Sequence, residues 1–182
     1  MIQTKAHKFS DIFSWQDQDA QVTGITIPIV QRDYAQGRKT DKVNRIREGF
    51  LQALYKALVE GKKTTLDFIY GNVENRQLIP LDGQQRLTSL FLLLYCLSAE
   101  VNDSLSFACR EKSNYTLKNL DGIMSNSSVI DNDKIQESII NGVKIIKGEL
   151  SNKEKYGDEF LTKLAHVIMY RIVVPPHTDL NH

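Results

Sequence analysis

The sequence predicts an α+β fold in which helices pack against a small mixed sheet, with a helical extension at the C-terminal end. Two short apolar runs separated by turn residues, at 66–70 and 77–81, indicate strands, and the apolar stretch at 87–99 indicates a buried helix. With 182 residues, 41% of them hydrophobic and 25% charged, the chain can bury a core of its own.

The first elements lie between residues 21 and 61. Residues 21–30 are rich in β-branched side chains and contain Pro28, which predicts a strand that is short, at an edge or ended by a bend. A helix is predicted from Asp41 to Gly61, because apolar residues recur there with the helical period. These residues are Val43, Ile46, Phe50, Leu51, Leu54 and Leu58.

The middle of the chain predicts a hairpin followed by a central helix. Strands at 66–70 and 77–81 flank residues 71–75, whose Gly and Asn residues suit a turn. The second strand leads directly to the helix at 87–99, which is apolar on nearly every side and is therefore expected inside the core.

Beyond residue 102 the pattern predicts mainly helices. We expect a short helix at 113–120, a polar loop at 125–128 and a further helix capped by Asp131. Residues 160–167 continue a helical pattern, and 168–174 have strand character before two prolines. The helix capped by Asp131 carries Ile135, Ile139, Val143 and Ile146 on one face.

Charge and cysteine content restrict the classes of function. The 23 basic residues against 22 acidic ones give a net charge of +1, which argues against a broadly basic nucleic-acid surface. Since no apolar run approaches the roughly 20 residues of a membrane span and no secretory segment follows the start, we expect a cytoplasmic protein without a membrane partner. Cys96 and Cys109 have no metal-ligand spacing and are expected to be reduced packing residues.

One polar segment stands out between the second hairpin strand and the buried helix: Asp82-Gly83-Gln84-Gln85-Arg86. The backbone N–H groups from Gly83 to Thr88 would lie near a helix N-terminus, which favours an anion, and Arg86 adds a permanently charged, forked donor. This pattern predicts a phosphate-binding loop. The alternative is a plain Asp-Gly turn followed by an exposed arginine.

A second polar cluster, Gln31-Arg32-Asp33-Tyr34, follows the first predicted strand, so both clusters could meet at one sheet edge. Arg32 would supply another cation for a triphosphate, and Asp33 or Asp82 could hold Mg²⁺. A structural ion pair between the clusters is the alternative. Arg110, which follows the apolar helix, could reach the same pocket.

Three segments in this order resemble the N-terminal domain of the GmrSD-type, modification-dependent restriction proteins. They are IPIVQRDYAQGR at 27–38, LDFIYG at 66–71 and IPLDGQQRLTSLFLLL at 79–94. The DGQQR signature is similar to the G-x-x-R phosphate loop of the ParB/sulfiredoxin fold. The resemblance implies a ParB/sulfiredoxin-like domain at 10–120, followed by a helical extension at 121–182.

The resemblance also implies a nucleoside triphosphate and Mg²⁺ as ligands, with hydrolysis in some members and coupling to restriction of modified or foreign DNA. Asp82, Gln84, Gln85 and Arg86 would be catalytic, with Asp82 as the metal ligand and a glutamine orienting the water. The residues expected to bind nucleotide are Gln31, Arg32, Tyr34, Gly83, Arg86, Thr88 and Arg110.

The chain departs from the family pattern in two places. Ser89 stands where a second threonine is common, which keeps a hydroxyl. Family members often continue to an HNH-type nuclease domain, so we expect a truncated or stand-alone regulatory domain whose contact with DNA is made by a separate or missing nuclease domain. Two alternatives remain open: a DNA-binding module that uses the same arginines on backbone phosphates, and an inactive remnant that only folds or forms a homodimer.

Overall fold

The computed structural model describes residues 3–8, 11–16, 21–29, 49, 64–97, 103–150 and 167–173. Gly49 is helical, but the rest of the helix predicted at 41–61 lies outside the described residues. The Gln31–Tyr34 cluster lies outside them as well, and so does the helical pattern predicted at 160–167, except for its last residue, Val167, which is in a strand.

The sheet has six strands and mixed directions, which confirms the α+β fold class. Along the sheet the order is β1-β8-β5-β6-β4-β7, and β4 runs parallel to both of its neighbours. A separate two-stranded antiparallel ribbon is formed by β2 and β3. The bounds are β1 Gln3–Lys8, β2 Trp15–Gln16, β3 Gln21–Val22, β4 Gly24–Ile27, β5 Thr64–Glu74, β6 Gln77–Pro80, β7 Leu105–Phe107 and β8 Val167–Val173.

The strand predicted at 21–30 is present as β3 and β4, and β4 ends at Ile27, directly before Pro28, as the sequence indicates. It lies inside the sheet, between β6 and β7, because Pro28 falls just beyond the last paired residue and removes no ladder hydrogen bond. Ile25 and Ile27 are fully buried, so this short strand forms part of the core.

The hairpin is confirmed, but its turn is not where the sequence pattern put it. β5 continues through 71–74, and the chain turns at Asn75 and Arg76, which both have positive φ (49° and 63°), as in a type I′ turn. Gly71 is not part of the turn. It allows β5 and β6 to approach closely, since a Cβ at this position would overlap the carbonyl oxygen of Ile79 on β6.

Four helices complete the described part of the chain: α1 Gln84–Cys96, α2 Glu111–Lys118, α3 Leu120–Met124 and α4 Glu137–Leu150. The central position of α1 is confirmed, because its residues Leu87 to Leu94 are all buried. Ile139, Val143 and Ile146 of α4 join the same core. Asp131 does not cap α4; its side chain accepts from the Asp133 N–H and caps a 3-10 turn at Asn132–Lys134, because the backbone at Ile135 is extended.

The strand character of 168–174 is confirmed by β8, which lies between β1 and β5. The sheet thus combines strands from both sides of residue 120, and the division of the chain into domains at 10–120 and 121–182 stays a prediction. Among the helices of the described residues, none is long and apolar enough to cross a lipid bilayer.

Candidate functional site

The C-terminal ends of three neighbouring strands lie side by side, along what we call the carboxyl edge of the sheet. β6, β4 and β7 run in one direction, with Ile25 beside both Leu78 and Leu105. Continuing this register places Ile27, Pro80 and Phe107 level with one another. At a spacing of about 4.8 Å between strands, the exits of β6 and β7 lie about 10 Å apart, with the exit of β4 between them. Such carboxyl edges of parallel strands are where open sheets commonly bind ligands.

The signature segment forms the turn from β6 into α1 at this edge. Gly83 is the N-cap residue of the helix and has φ of 88°, and its carbonyl accepts the first helical bond from the Leu87 N–H at 2.9 Å. Glycine has no side chain that could cap the helix, and the first turn contains no acidic residue. The positive end of the helix dipole is therefore not offset by a carboxylate in that turn.

Arg86 folds back over this turn. A Cβ built on Gly83 would lie 3.5 Å from Arg86 Nη2 and 3.4 Å from Ile69 Cγ1, so the glycine lies between the guanidinium and a core residue. Arg86 Nη2 is 3.7 Å from Asp82 Oδ2, and the two side chains are 26% and 63% exposed. An ion pair with so exposed a carboxylate is weak, so Asp82 can give way to another anion at little cost.

The positive φ of Gly83 leads to a prediction about stability. Gly83→Ala is expected to lower the free energy of unfolding by about 1 to 2 kcal/mol, because an L side chain is strained in the left-handed region. Gly83→Asn should cost less, since asparagine tolerates this region best among the non-glycine residues. Urea denaturation of the three proteins measures both differences, and equal midpoints for wild type and Gly83→Ala would contradict the expectation.

The remaining signature residues divide between the edge and the core. Gln84 is buried and Gln85 is half-buried, both in the first turn of α1. Thr88 is buried, and its hydroxyl donates to the Gln84 carbonyl at 2.9 Å. Thr88 therefore stabilises the first turn from inside, and in this arrangement its hydroxyl proton is directed to the backbone.

Arg110 reaches the same edge from β7. It precedes α2, and its guanidinium carbon lies 5.6 Å from the Phe107 ring centroid, within the range of a cation–π contact. Asn114 holds this exit in place: its side chain accepts from the Phe107 N–H at 2.8 Å and donates to the Phe107 carbonyl at 2.7 Å. The sequence pattern did not single out Asn114, because an asparagine within a helix carries no signal of a bond to a neighbouring strand.

The two cysteines occupy different environments. Cys96, near the far end of α1, is partly buried, and burial raises the pKa of its thiol to about 11, so it remains protonated at neutral pH. Cys109 is exposed in the β7–α2 turn, with φ of 58°, so the prediction that it is a packing residue is wrong. Both thiols are free.

The structure thus brings together Asp82, Gly83, Gln84, Gln85 and Arg86 in one turn, with Arg110 at the same edge two strands away. Gln31, Arg32 and Tyr34 lie outside the described residues, although β4 delivers the chain to this edge just before Gln31. Within the described residues, no group of three or more His, Cys, Asp or Glu side chains is placed to hold a metal ion.

Comparison of the chain with known protein families gives one match. Residues 9–179 match the model of the GmrSD restriction endonuclease N-terminal domain, a span that also covers most of the region expected to be an extension. No curated protein and no solved structure gave a match. With nearly the whole chain covered, and with the DGQQR segment at the carboxyl edge of the sheet, this protein belongs to the GmrSD N-terminal domain family and is a component of a restriction and phage-defence system.

Proposed function

We propose that this chain is a nucleoside-triphosphate-binding regulatory domain of its restriction system. The observation that carries the proposal is the turn from β6 into α1, where a left-handed glycine opens a buried helix and Arg86 lies over that glycine. Backbone N–H groups at a helix start, together with a forked cation, are suited to phosphate oxygens.

Arg86 lies in the first turn of α1, at the end of the helix that favours anions. A cation in the first turn opposes the helix dipole, which favours acidic residues there, and the first turn of α1 contains none. The ion pair of Arg86 with Asp82 is long and Asp82 is largely exposed, so this pair contributes little and can rearrange when a ligand binds. A bound phosphate would accept hydrogen bonds from both the helix start and the guanidinium.

The edge is wide enough for more than one phosphate. Arg110 enters at the exit of β7, about 10 Å from the exit of β6. The sequence adds Gln31, Arg32 and Tyr34 just after β4, which lies between these two strands. In the proposed arrangement, Arg86 and Arg32 neutralise the triphosphate and Arg110 binds its outer part.

Mg²⁺ would enter with the nucleotide. Magnesium keeps most of its ligands as water and phosphate oxygens, and it needs only one or two carboxylates from the protein. Asp82 fits this requirement, because its carboxylate is exposed beside Arg86 at the start of the loop. If the domain hydrolyses its ligand, Gln84 or Gln85 orients the attacking water, a role that glutamine has in other nucleotide hydrolases.

Replacement of Arg86 tests the proposal. Arg86→Ala is expected to weaken nucleotide binding by about 1 to 3 kcal/mol, the range for a hydrogen bond to a charged group. Isothermal titration calorimetry with each of the four nucleoside triphosphates and Mg²⁺ measures the loss. Arg76→Ala is the matched control, since Arg76 lies in the hairpin turn at the opposite end of β6 and should leave affinity unchanged.

Absence of nucleotide binding by the folded wild-type protein would overturn the proposal. Binding of labelled duplex DNA at physiological salt, without competition from nucleotide and with a steep loss of affinity as salt rises, would instead favour the DNA-binding alternative. Equal losses for Arg86→Ala and Arg76→Ala would show that charge in general, rather than the loop, holds the ligand.

A further inference from the structure

We infer that Asp82 makes the loop selective for the metal-bound form of the nucleotide, because its carboxylate opposes phosphate when no metal is present. This inference rests on the proposed function and extends it to the form of the ligand. The observation that carries it is the ion pair across the turn that opens α1, in which Arg86 Nη2 lies 3.7 Å from Asp82 Oδ2. The cation proposed to bind phosphate thus already has a carboxylate of its own loop as a partner.

The backbone on both sides of Asp82 is held by hydrogen bonds. The Leu81 N–H donates to the Tyr70 carbonyl at 2.9 Å, and the Gly83 carbonyl accepts from the Leu87 N–H at the same distance. The carboxylate itself remains largely accessible, since 63% of the Asp82 side chain is exposed. Asp82 is therefore fixed beside the helix start through its backbone, while its carboxylate can change partner.

Without a metal ion, the Asp82 carboxylate counts against a phosphate ligand. A phosphate oxygen bonded to the Arg86 guanidinium, at about 2.8 Å, would lie within roughly 9 Å of the carboxylate that contacts the same group. This separation is comparable with the Debye length at physiological salt, so the repulsion between the two anions is only partly screened. The long, exposed ion pair adds a smaller cost, because phosphate must displace it from Arg86.

With Mg²⁺ on the nucleotide, the same carboxylate is expected to favour binding. Magnesium takes one or two carboxylates together with phosphate oxygens and water, and Asp82 is the acidic residue of the loop. Among the described residues, no three His, Cys, Asp or Glu side chains come together to hold a metal, so the ion would depend mainly on phosphate oxygens and water. The contribution of Asp82 to affinity therefore changes sign between the free and the metal-bound nucleotide.

Calorimetry with and without metal tests this change of sign. Asp82→Asn keeps the shape of the side chain and removes its charge. In EDTA, we expect Asp82→Asn to bind inorganic tripolyphosphate and the preferred nucleoside triphosphate about two- to fivefold more tightly than wild type, with a larger gain at low salt. With excess Mg²⁺, we expect the same variant to bind the nucleoside triphosphate more weakly than wild type.

Glu74→Gln is the matched control. Glu74 is exposed in β5 and is paired with Gln77 at the start of β6, so it lies at the far end of that strand from the loop. Its carboxylate accepts a hydrogen bond from the Asn72 side chain, which a glutamine oxygen can also accept. Because Glu74→Gln removes the same charge without altering the loop, we expect it to bind both probes as wild type does, with and without metal. Thermal denaturation of each variant checks that it is folded.

The outcomes separate this inference from the proposed function. If wild type binds neither probe under either condition, the proposed function fails. If wild type binds but Asp82→Asn binds the metal-free probes no more tightly, the nucleotide site stands and the inference is wrong. Affinity of Asp82→Asn equal to or above that of wild type with excess Mg²⁺ would also overturn it, because Asp82 would then contribute nothing to the metal-bound form. An equal gain for Glu74→Gln would assign the effect to the net charge of the protein and overturn the inference as well.

Discussion

Gly71→Ala is expected to lower the free energy of unfolding by about 3 kcal/mol or more, the largest effect predicted for a single methyl group in this chain. A Cβ at this position would overlap the Ile79 carbonyl oxygen and lie 2.9 Å from Pro80 Cα. Both of these are backbone atoms of the paired strand, so a side-chain rotation cannot relieve the clash. β5 and β6 would have to separate at Gly71 and Pro80, where they are paired.

The same substitution should reduce nucleotide affinity. β6 ends at Pro80 and leads straight into the loop at Asp82 and Gly83, so a displaced β6 moves the proposed phosphate site. Gly148→Ala is the control, because Gly148 lies in α4 and, among the described residues, no atom outside its own stretch of helix lies within 4 Å of an added Cβ. There we expect a gain of about 0.5 to 1 kcal/mol from the higher helix propensity of alanine. Urea denaturation measures both changes, and a Gly71→Ala protein as stable as wild type would show that the two strands are not so close.

Leu87→Ala is expected to cost about 2 to 5 kcal/mol of unfolding free energy. Leu87 is fully buried in the first turn of α1, and its N–H closes the first helical bond to Gly83. Truncation removes buried methyl groups and leaves a cavity under the first turn of α1, which carries Arg86. We therefore expect weaker nucleotide binding together with the loss of stability, even though Leu87 would not contact the ligand.

Leu81→Ala provides the comparison, since Leu81 lies on the other side of the same loop with 38% of its surface exposed. Its expected cost in stability is smaller, about 1 kcal/mol, because part of the apolar surface that is removed faces solvent in the folded protein. Equal destabilisation by the two substitutions, measured by the same urea titrations, would mean that α1 does not start where the structure places it.

The proposed site depends on a rigid base. α1 is buried along most of its length and α4 packs against the same core, so the start of α1 has little freedom to move. Asn114 fixes the exit of β7 in a similar way through two hydrogen bonds to Phe107. Arginines that are held on fixed elements lose less conformational freedom when they bind phosphate, which favours affinity.

Much of the local structure could be predicted from the pattern of residues. The buried helix α1 follows from a stretch that is apolar on every side, and the hairpin follows from two apolar runs around turn residues. The position of the hairpin turn could not be predicted, because Gly71 is a typical turn residue and its actual role depends on the approach of Ile79 from another strand. The sequence pattern predicts that Asp131 caps α4, but Asp131 caps the preceding 3-10 turn. A capping residue does not specify how many residues follow it before the long helix begins.

In the candidate site, too, some features could be predicted from the local sequence and others depend on tertiary contacts. The residues that could bind phosphate were visible in the sequence, because acid, glycine, amides and arginine together before an apolar helix are unusual for a core-forming segment. The burial of Thr88 and the contact of Arg86 with Gly83 were not visible, since both depend on which way the first turn of α1 faces.

By itself, the sequence determined the fold class, the central helix and the signature loop, because hydrophobic period, turn chemistry and local charge are properties of neighbouring residues. Only the tertiary structure decided that β6, β4 and β7 are parallel neighbours whose ends share one edge of the sheet. It also decided that β8 enters this sheet from the far end of the chain. Strand order is set by contacts between distant segments, and the free energy of those contacts depends on how whole faces fit together rather than on any local pattern.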